Sequence, residues 1–105
     1  MYHYMNDEYE ILKWSEPLIA QANAYKYLGN DAKIYFSNRK GKKYKIFNPN
    51  TNKFVHFGAI GYQDYTKHQE PRRRERYLAR ATNTKGQWRN DPYSPNNLSI
   101  HILWS

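Results

Sequence analysis

Aromatic residues supply more of the large apolar side chains of this chain than aliphatic residues do. Among 105 residues there are eleven tyrosines, four phenylalanines and three tryptophans, and there is no cysteine. A domain of this length buries roughly two-thirds of the surface of its unfolded chain, so its core must be small. Tyrosine and tryptophan join a large ring to a polar end, and they are enriched in the centres of interfaces. We therefore predict one domain that uses some of its rings to bind a partner.

Two compositional features exclude whole classes of protein. The absence of cysteine rules out a disulfide framework and a cysteine-based zinc site. No apolar run approaches the ~20 residues that cross a bilayer, and the segment Met1–Met5 lacks the basic and apolar regions of a signal peptide. We expect neither a signal peptide nor a membrane partner.

The positive charge is concentrated in the centre of the chain. The formal net charge is +8, but residues 1–32 carry two basic against five acidic residues. Residues 33–89 carry fifteen basic residues against only three acidic ones. Such asymmetry is typical of a protein that binds a polyanion or an acidic protein surface, although a solvated basic surface is the simpler alternative.

The first helix is predicted over residues 15–28. Ser15 suits its N-cap, and Gly29 suits its C-terminal end. Helical spacing predicts an inward stripe made of Leu18, Ala22, Tyr25 and Leu28. The preceding residues 1–14 show no clear period, so we predict an N-terminal arm that is extended or forms a strand.

Three short strands are predicted next, over residues 33–37, 43–47 and 53–57, because turn-rich segments separate them. Their short connections favour antiparallel pairing. A helical turn and two helices follow, over 64–69, 70–82 and 95–104, and the alternative for the last is a strand. Residues 15–105 are thus predicted to form a single α+β domain, a small three-stranded antiparallel sheet flanked by helices.

An arginine cluster lies in the helix predicted over 70–82. Residues four apart share a helix face, so Arg72, Arg76 and Arg80 form one stripe, with Arg73 beside it. Guanidinium groups match phosphates and carboxylates through paired hydrogen bonds. The stripe fits a helix lying on a nucleic-acid backbone, one docked on an acidic protein, or one that is merely solvated.

A second basic cluster occupies the turn between the first two predicted strands. It consists of Arg39, Lys40, Lys42 and Lys43. Charge on a tight turn often serves solubility alone. With Tyr35 and Tyr44 nearby, it also fits single-strand binding by ring stacking and phosphate contact.

Catalytic and metal-binding patterns are weak. The serines lack the setting of a nucleophile elbow, and the carboxylates are scattered. Asp64 and His68 would meet on one helical turn and, with His56 or Glu70, offer metal ligands or a remote endonuclease site. An ordinary His–Asp surface pair explains the spacing equally well. We predict no enzyme, no cofactor and no metal site.

Four segments carry a resemblance to a known group of proteins. They are 43–46 leading to His56-Phe57-Gly58-Ala59, then 61–68, 73–80 and 98–104, and the most specific pattern is FGA-x-GY-x-D-x-T-x-H. Over about residues 43–104 the chain resembles short basic proteins of unknown function from large DNA viruses of eukaryotes and from tailed bacteriophages, including crAss-like phages. The resemblance brings no catalytic residues with it, and it implies a viral context.

In that context we expect a virion structural protein, an auxiliary or minor capsid component that cements the major capsid protein shell in many copies. Aromatic anchors would fill pockets of the major capsid protein and neighbouring virion proteins, and they are Tyr2, Tyr4, Trp14 and Trp88. The arginines would pair with acidic patches. The protein would occupy the virion and, before assembly, the host cytoplasm. The alternative is a small DNA- or RNA-binding protein that contacts phosphates through the same arginines and the 39–43 turn.

Overall fold

A three-stranded antiparallel sheet forms the centre of the fold, in a computed structural model that describes residues 8–105. The strands are β1 (Ile34–Phe36), β2 (Lys42–Asn48) and β3 (Lys53–Ala59), and β2 lies between the other two. Helices precede and follow the sheet, which confirms the predicted α+β class.

The register of the sheet separates an inner face from an outer face. Ile34, Ile46 and Val55 lie opposite one another, as do Phe36, Tyr44 and Phe57, and these two rows belong to the core. Alternate residues point to the other side of a sheet. The outer face therefore carries one row of Tyr35, Lys45 and His56 and a second row of Phe47 and Phe54.

The segment before the first predicted helix is not wholly an extended arm. Residues Glu8–Leu12 form helix α1, and Ile11 within it is fully buried in the core. Burial of Ile11 provides the free energy that holds this short helix on the domain. The earlier residues of the predicted arm, 1–7, lie outside the described part of the chain.

Helix α2 (Pro17–Leu28) occupies its predicted place but turns a different face inward. Its buried residues are Ala20, Asn23 and Ala24, whereas Leu18 is 82% exposed. The small alanines allow the C-terminal segment to approach closely, and the Asn23 side-chain amide donates to the backbone carbonyl of Ile102 at 2.8 Å. The predicted stripe was therefore wrong except for Leu28, which packs against the core.

The helix ends of α2 also differ in part from expectation. The N-cap is Glu16, whose carboxylate accepts from the backbone N–H of Leu18 at 3.1 Å. Ser15, the predicted cap, is instead buried in contact with the side chains of Thr66 and Tyr44. Gly29 ends the helix as predicted, with a φ of 106°.

The helices after the sheet follow the predicted order. They are α3 (Tyr65–His68), α4 (Pro71–Thr82), a 3₁₀ turn (Trp88–Asn90), α5 (Pro95–Leu98) and a π-helix (Ser99–Leu103). The Ser94 hydroxyl caps α5 by accepting from the N–H of Asn97. Helix α5 continues directly into the π-helix, so the alternative of a terminal strand was wrong. In the described part of the chain, no helix combines the length and apolarity needed to traverse a lipid bilayer.

Candidate functional site

A groove of about 870 Å³ lies between helix α4, the open end of the β2–β3 hairpin and the C-terminal helices. Four cationic side chains line it near solvent, and they are Lys42, Arg73, Arg76 and Arg80. The residues that line it also include Ala59, Tyr77, Leu103 and Trp104. No carboxylate of the described residues lines the groove, so its electrostatic potential is positive and an anion is the ligand that it attracts.

Helical periodicity places the three arginines on one side of α4. Arg73, Arg76 and Arg80 are spaced by three and four residues, which puts them on one face together with Tyr77. Glu70 lies at the start of the helix and pairs with Arg73 at 3.5 Å on the surface. Exposed pairs of this kind are weak, so Arg73 keeps most of its capacity to bind an anion.

Contacts with Trp104 fix the position of α4 against the rest of the fold. The ring of Tyr77 stacks on that of Trp104, with centroids 4.2 Å apart and planes 4° apart. From the same helix, the Arg74 guanidinium donates to the backbone carbonyl of Trp104 at 2.8 Å. Burial raises the pKa of Tyr77, which keeps its hydroxyl protonated. The arginine-bearing wall of the groove is thereby held in one orientation.

Lys43 does not serve the surface role that the sequence indicated. Its side chain is 3% exposed, and its Nζ lies 3.0 Å from Asp64 Oδ2 and 2.8 Å from the carbonyl oxygen of Tyr62. Burial lowers the pKa of Lys43, while the neighbouring Asp64 carboxylate opposes that shift. Its charge is matched internally, so we correct the prediction that Lys43 contacts a partner.

A buried polar network surrounds this ion pair. Asp64 Oδ1 accepts from the backbone N–H and the hydroxyl of Thr66, and Thr66 contacts Ser15 at 3.1 Å. The Tyr44 hydroxyl donates to Ser15 at 2.7 Å. The network ties β2 to α3 and to the start of α2, and it fixes the strand whose first residue, Lys42, enters the groove.

The remaining predicted basic residues lie at different distances from the groove. Arg76 and Arg80 line it together with Arg73, whereas Arg72 is exposed outside it. Arg39 and Lys40 are exposed on the turn before β2, whereas Lys42 and the buried Lys43 of that cluster line the groove. The structure thus brings residues from the two predicted basic clusters together at one site.

The predicted aromatic anchors are less available than expected. Trp88 is half-buried, its indole N–H donates to the carbonyl of Thr84 at 2.7 Å, and the Arg89 guanidinium lies 4.3 Å from its ring. Trp14 is also half-buried. Tyr2 and Tyr4 lie outside the described residues.

The side chains considered for a metal site are engaged elsewhere. Asp64 pairs with Lys43, and the Nδ1 atom of His68 accepts from the backbone N–H of Glu70 at 2.9 Å. His56 contacts the hydroxyl of Ser37 at 2.7 Å. Among residues 8–105, no three His, Cys, Asp or Glu side chains come together as potential metal ligands.

Several residues of the groove escaped sequence analysis. Tyr62, Asn96 and Trp104 line it, yet they come from a turn, from α5 and from the C-terminal end of the chain. Tyr62 is 71% exposed, and its position after Gly61 in a turn was the one available signal. The convergence of these segments depends on tertiary packing, which no local pattern records.

Comparison with known proteins gives a match over part of the chain to a family of unknown function. Residues 32–81 match a family of unknown function, DUF5754. This segment contains the whole sheet, α3 and nearly all of α4, and therefore all the cationic residues that line the groove. No curated protein and no solved structure matches the chain. The viral and phage context implied by the resemblance remains a prediction.

Proposed function

We propose that this chain is a non-enzymatic nucleic-acid-binding protein that contacts the phosphate backbone through the groove beside α4. The observation that carries the proposal is the convergence of Lys42, Arg73, Arg76 and Arg80 on one groove that no carboxylate of the described residues lines. Arginine forks suit phosphate oxygens, and backbone contacts of this kind supply most of the non-specific affinity for nucleic acid.

The length of the arginine row explains why an extended anion fits better than a single phosphate. The three arginines follow α4 over seven residues, which corresponds to about 10 Å at 1.5 Å per residue. The phosphates of one strand follow one another every ~3.4 Å along the axis of a duplex. The row of guanidinium groups therefore matches several neighbouring phosphates at once.

Salt-titrated binding to a 20-base-pair duplex of arbitrary sequence tests the proposal. With about four phosphates neutralised, the plot of log affinity against log salt should have a slope of roughly −3 to −4. Arg76→Ala and Arg80→Ala should each reduce the magnitude of that slope by about 1. Lys26→Ala is the matched control, because Lys26 is exposed on α2 and does not line the groove.

The proposal fails if the wild-type protein does not bind duplex at low salt. It also fails if Lys26→Ala changes the slope as much as Arg76→Ala does, because binding would then depend on net charge and not on the groove.

A virion structural role remains a second candidate, favoured by exposed apolar side chains that nucleic acid does not require. Tyr9 is 78% exposed on α1 and Leu18 is 82% exposed on α2, with Leu12, Ile19 and Tyr25 also exposed on these helices. We propose that, in an auxiliary or minor capsid component, these side chains would meet the major capsid protein while the arginines meet its acidic patches.

Mass spectrometry of purified virus particles tests this second role. Recovery of the chain in a fixed ratio to the major capsid protein would support it, particularly if Leu18→Asp abolished that recovery. Absence of the chain from particles, when it is abundant in the infected cells, would exclude it.

A further inference from the structure

Tyr62 is an exposed aromatic residue among those that line the cationic groove. It lines the groove together with Arg73, Arg76 and Arg80, and it is 71% exposed. Within residues 8–105, its ring stacks on no other ring and its hydroxyl has no hydrogen-bond partner. The fold therefore leaves this ring available to a ligand of the groove.

The backbone around Tyr62 is held in place although the ring is exposed. The buried Nζ of Lys43 donates to the Tyr62 carbonyl oxygen at 2.8 Å and lies 3.0 Å from the Asp64 carboxylate. The backbone N–H of Asp64 donates to the carbonyl oxygen of Trp14 at 3.0 Å. Segment 62–64 is thus anchored at both ends, so a ligand that contacts it does not have to order a loose loop.

Two amide side chains of the groove have unused hydrogen-bonding groups. Gln63 is half-buried, and its side-chain amide makes no hydrogen bond within the described part of the chain. Asn96 donates through Nδ2 to the carbonyl oxygen of Ala81 at 3.0 Å, which leaves its Oδ1 without a partner among the same residues. Amides combine donors with acceptors, and the edges of nucleic-acid bases do the same. A phosphate only accepts, so it cannot use the Asn96 oxygen.

The groove also has a size and an apolar lining that phosphates alone do not need. The exposed Ala59 and the half-buried Tyr77 line it. Its volume of about 870 Å³ lies in the range of roughly 300–1,000 Å³ that small-molecule sites occupy. The bases of a duplex present only their edges, so a base can place its face on a protein ring only where its strand is unpaired.

We infer that the groove binds a single-stranded nucleic acid and receives one unpaired base, which stacks on Tyr62. The amides of Gln63 and Asn96 contact the edge of that base, and the arginines of α4 contact the neighbouring phosphates. Rings combined with cations hold single strands, and unpaired bases are recognised by stacking together with hydrogen bonds to their edges. This inference rests on the proposed nucleic-acid function and adds the class of nucleic acid that is preferred.

Fluorescence anisotropy with a labelled 15-nucleotide oligothymidine and with a duplex of the same length tests the inference. Tyr62→Ala should weaken binding of the single strand by on the order of tenfold and leave duplex binding unchanged. Its thermal midpoint should match that of the wild type, because the ring is exposed and Lys43 bonds to the backbone of Tyr62. Tyr25→Ala is the control, since Tyr25 is an exposed ring on α2 that does not line the groove, and it should alter neither affinity.

Two further substitutions at Tyr62 separate the ring from its size and its hydroxyl. Tyr62→Phe keeps the ring, and it should keep the affinity for the single strand within about twofold. Tyr62→Leu keeps an apolar side chain without a ring, and it should behave like Tyr62→Ala. Full single-strand affinity in Tyr62→Leu would overturn the inference, because the contact would then not be stacking.

The remaining outcomes count for or against the base site. A photo-crosslink from 5-iodouracil in the oligonucleotide to Tyr62 would support it directly, whereas crosslinks that map only outside the groove would overturn it. Equal weakening of both ligands by Tyr62→Ala would also overturn it. Gln63→Ala should weaken single-strand binding by about three- to tenfold, and an unchanged affinity would remove that amide from the base site.

The phosphate contacts and the base site fail independently. If Arg76→Ala and Arg80→Ala leave the salt slope for duplex unchanged, the proposed function of the groove is lost whatever Tyr62→Ala does. If the slope changes but Tyr62→Ala has no effect on the single strand, only the base site is lost.

Discussion

At the scale of single residues, Lys43 shows that tertiary packing, and not the neighbouring sequence, decides which charges the chain exposes. Lys43 belongs to a run of basic residues, and its sequence neighbours predicted a solvated charge. Tertiary packing instead buries it against Asp64. No pattern in the sequence pairs residues 21 positions apart, so this error follows from the long-range origin of the contact.

The Lys43–Asp64 pair predicts an asymmetric response to mutation. Lys43→Met should lower the free energy of unfolding by about 3–5 kcal/mol, because it leaves a buried carboxylate without its partner charge. The double variant Lys43→Met/Asp64→Asn should lose less, since the introduced amide keeps an acceptor for Thr66 without a charge. Urea denaturation measures both. Lys13→Ala, at an exposed pair with Glu10, is the control, and an equal loss there would contradict the account.

Gly58 is a residue whose lack of a side chain matters. Its φ is +83°, and a Cβ atom there would lie 2.8 Å from Leu103 Cδ1 and 3.2 Å from Lys43 Cβ. Gly41 has the same φ of +83° with no atom within 4 Å of such a Cβ. The two glycines share the same φ and differ in whether an added Cβ atom would meet a neighbouring side chain.

Alanine substitutions should separate backbone strain from crowding. Gly41→Ala should destabilise the fold by about 1–2 kcal/mol through the left-handed backbone. Gly58→Ala should destabilise it by about 1–3 kcal/mol more, because the methyl group crowds the π-helix against β2. Thermal unfolding of the two variants measures the difference. Equal losses would mean that the contact with Leu103 is relieved without cost.

At the scale of elements, the sequence predicted where helices and strands lie better than which way they face. The strands and α4 follow their predicted spans because turn residues and Pro71 mark their ends. Helix α2 carries apolar residues on more than one side, so periodicity alone did not identify its buried face. Helical spacing predicted Leu18 and Tyr25 as inward residues, whereas the residues that packing buries include the small Ala20 and Ala24.

The close contact along α2 predicts the effect of enlarging one alanine. Ala24→Leu should destabilise the fold by about 1–3 kcal/mol, because Ala24 is fully buried in the core. Ala22→Leu adds the same atoms on the exposed side of the same helix, and it should change stability by less than about 0.5 kcal/mol. Urea midpoints compare the two. A larger loss in Ala22→Leu would show that α2 is turned the other way.

At the scale of the whole molecule, the sequence predicted a basic binding protein, and the structure adds where its charge converges. The two basic clusters were visible from composition. The sequence did not show that the two clusters meet at one groove, because the packing of α4 on Trp104 brings Lys42 and Arg80 together. The outer-face rings had a sequence signal, because alternation along β2 places Phe47 on its polar side, opposite the side that carries Tyr44 and Ile46.

Three histidines distributed over the fold predict its response to acid. Burial lowers the pKa values of His56, His68 and His101 below the ordinary 6.5. The folded protein therefore binds fewer protons than the unfolded chain below about pH 6.5. The stability that these groups contribute is complete above pH 6.5 and is lost as the pH falls through their folded pKa values.

Urea midpoints between pH 7.5 and 5 should consequently decrease as the pH is lowered. His68→Asn should make that decrease shallower, because the amide oxygen can accept from the backbone N–H of Glu70 in place of Nδ1 and does not titrate. An unchanged pH dependence in His68→Asn would show that His68 is not one of the responsible groups.

The central claim is that the groove beside α4 receives the anionic backbone of a nucleic acid. Nuclear magnetic resonance of the isotope-labelled full chain, titrated with a short duplex at low salt, tests it residue by residue. We expect the largest amide shifts on α4 around Arg76 and Arg80 and on the hairpin end around Lys42 and Ala59. Shifts centred on α2, or shifts spread evenly over all exposed basic residues, would contradict it.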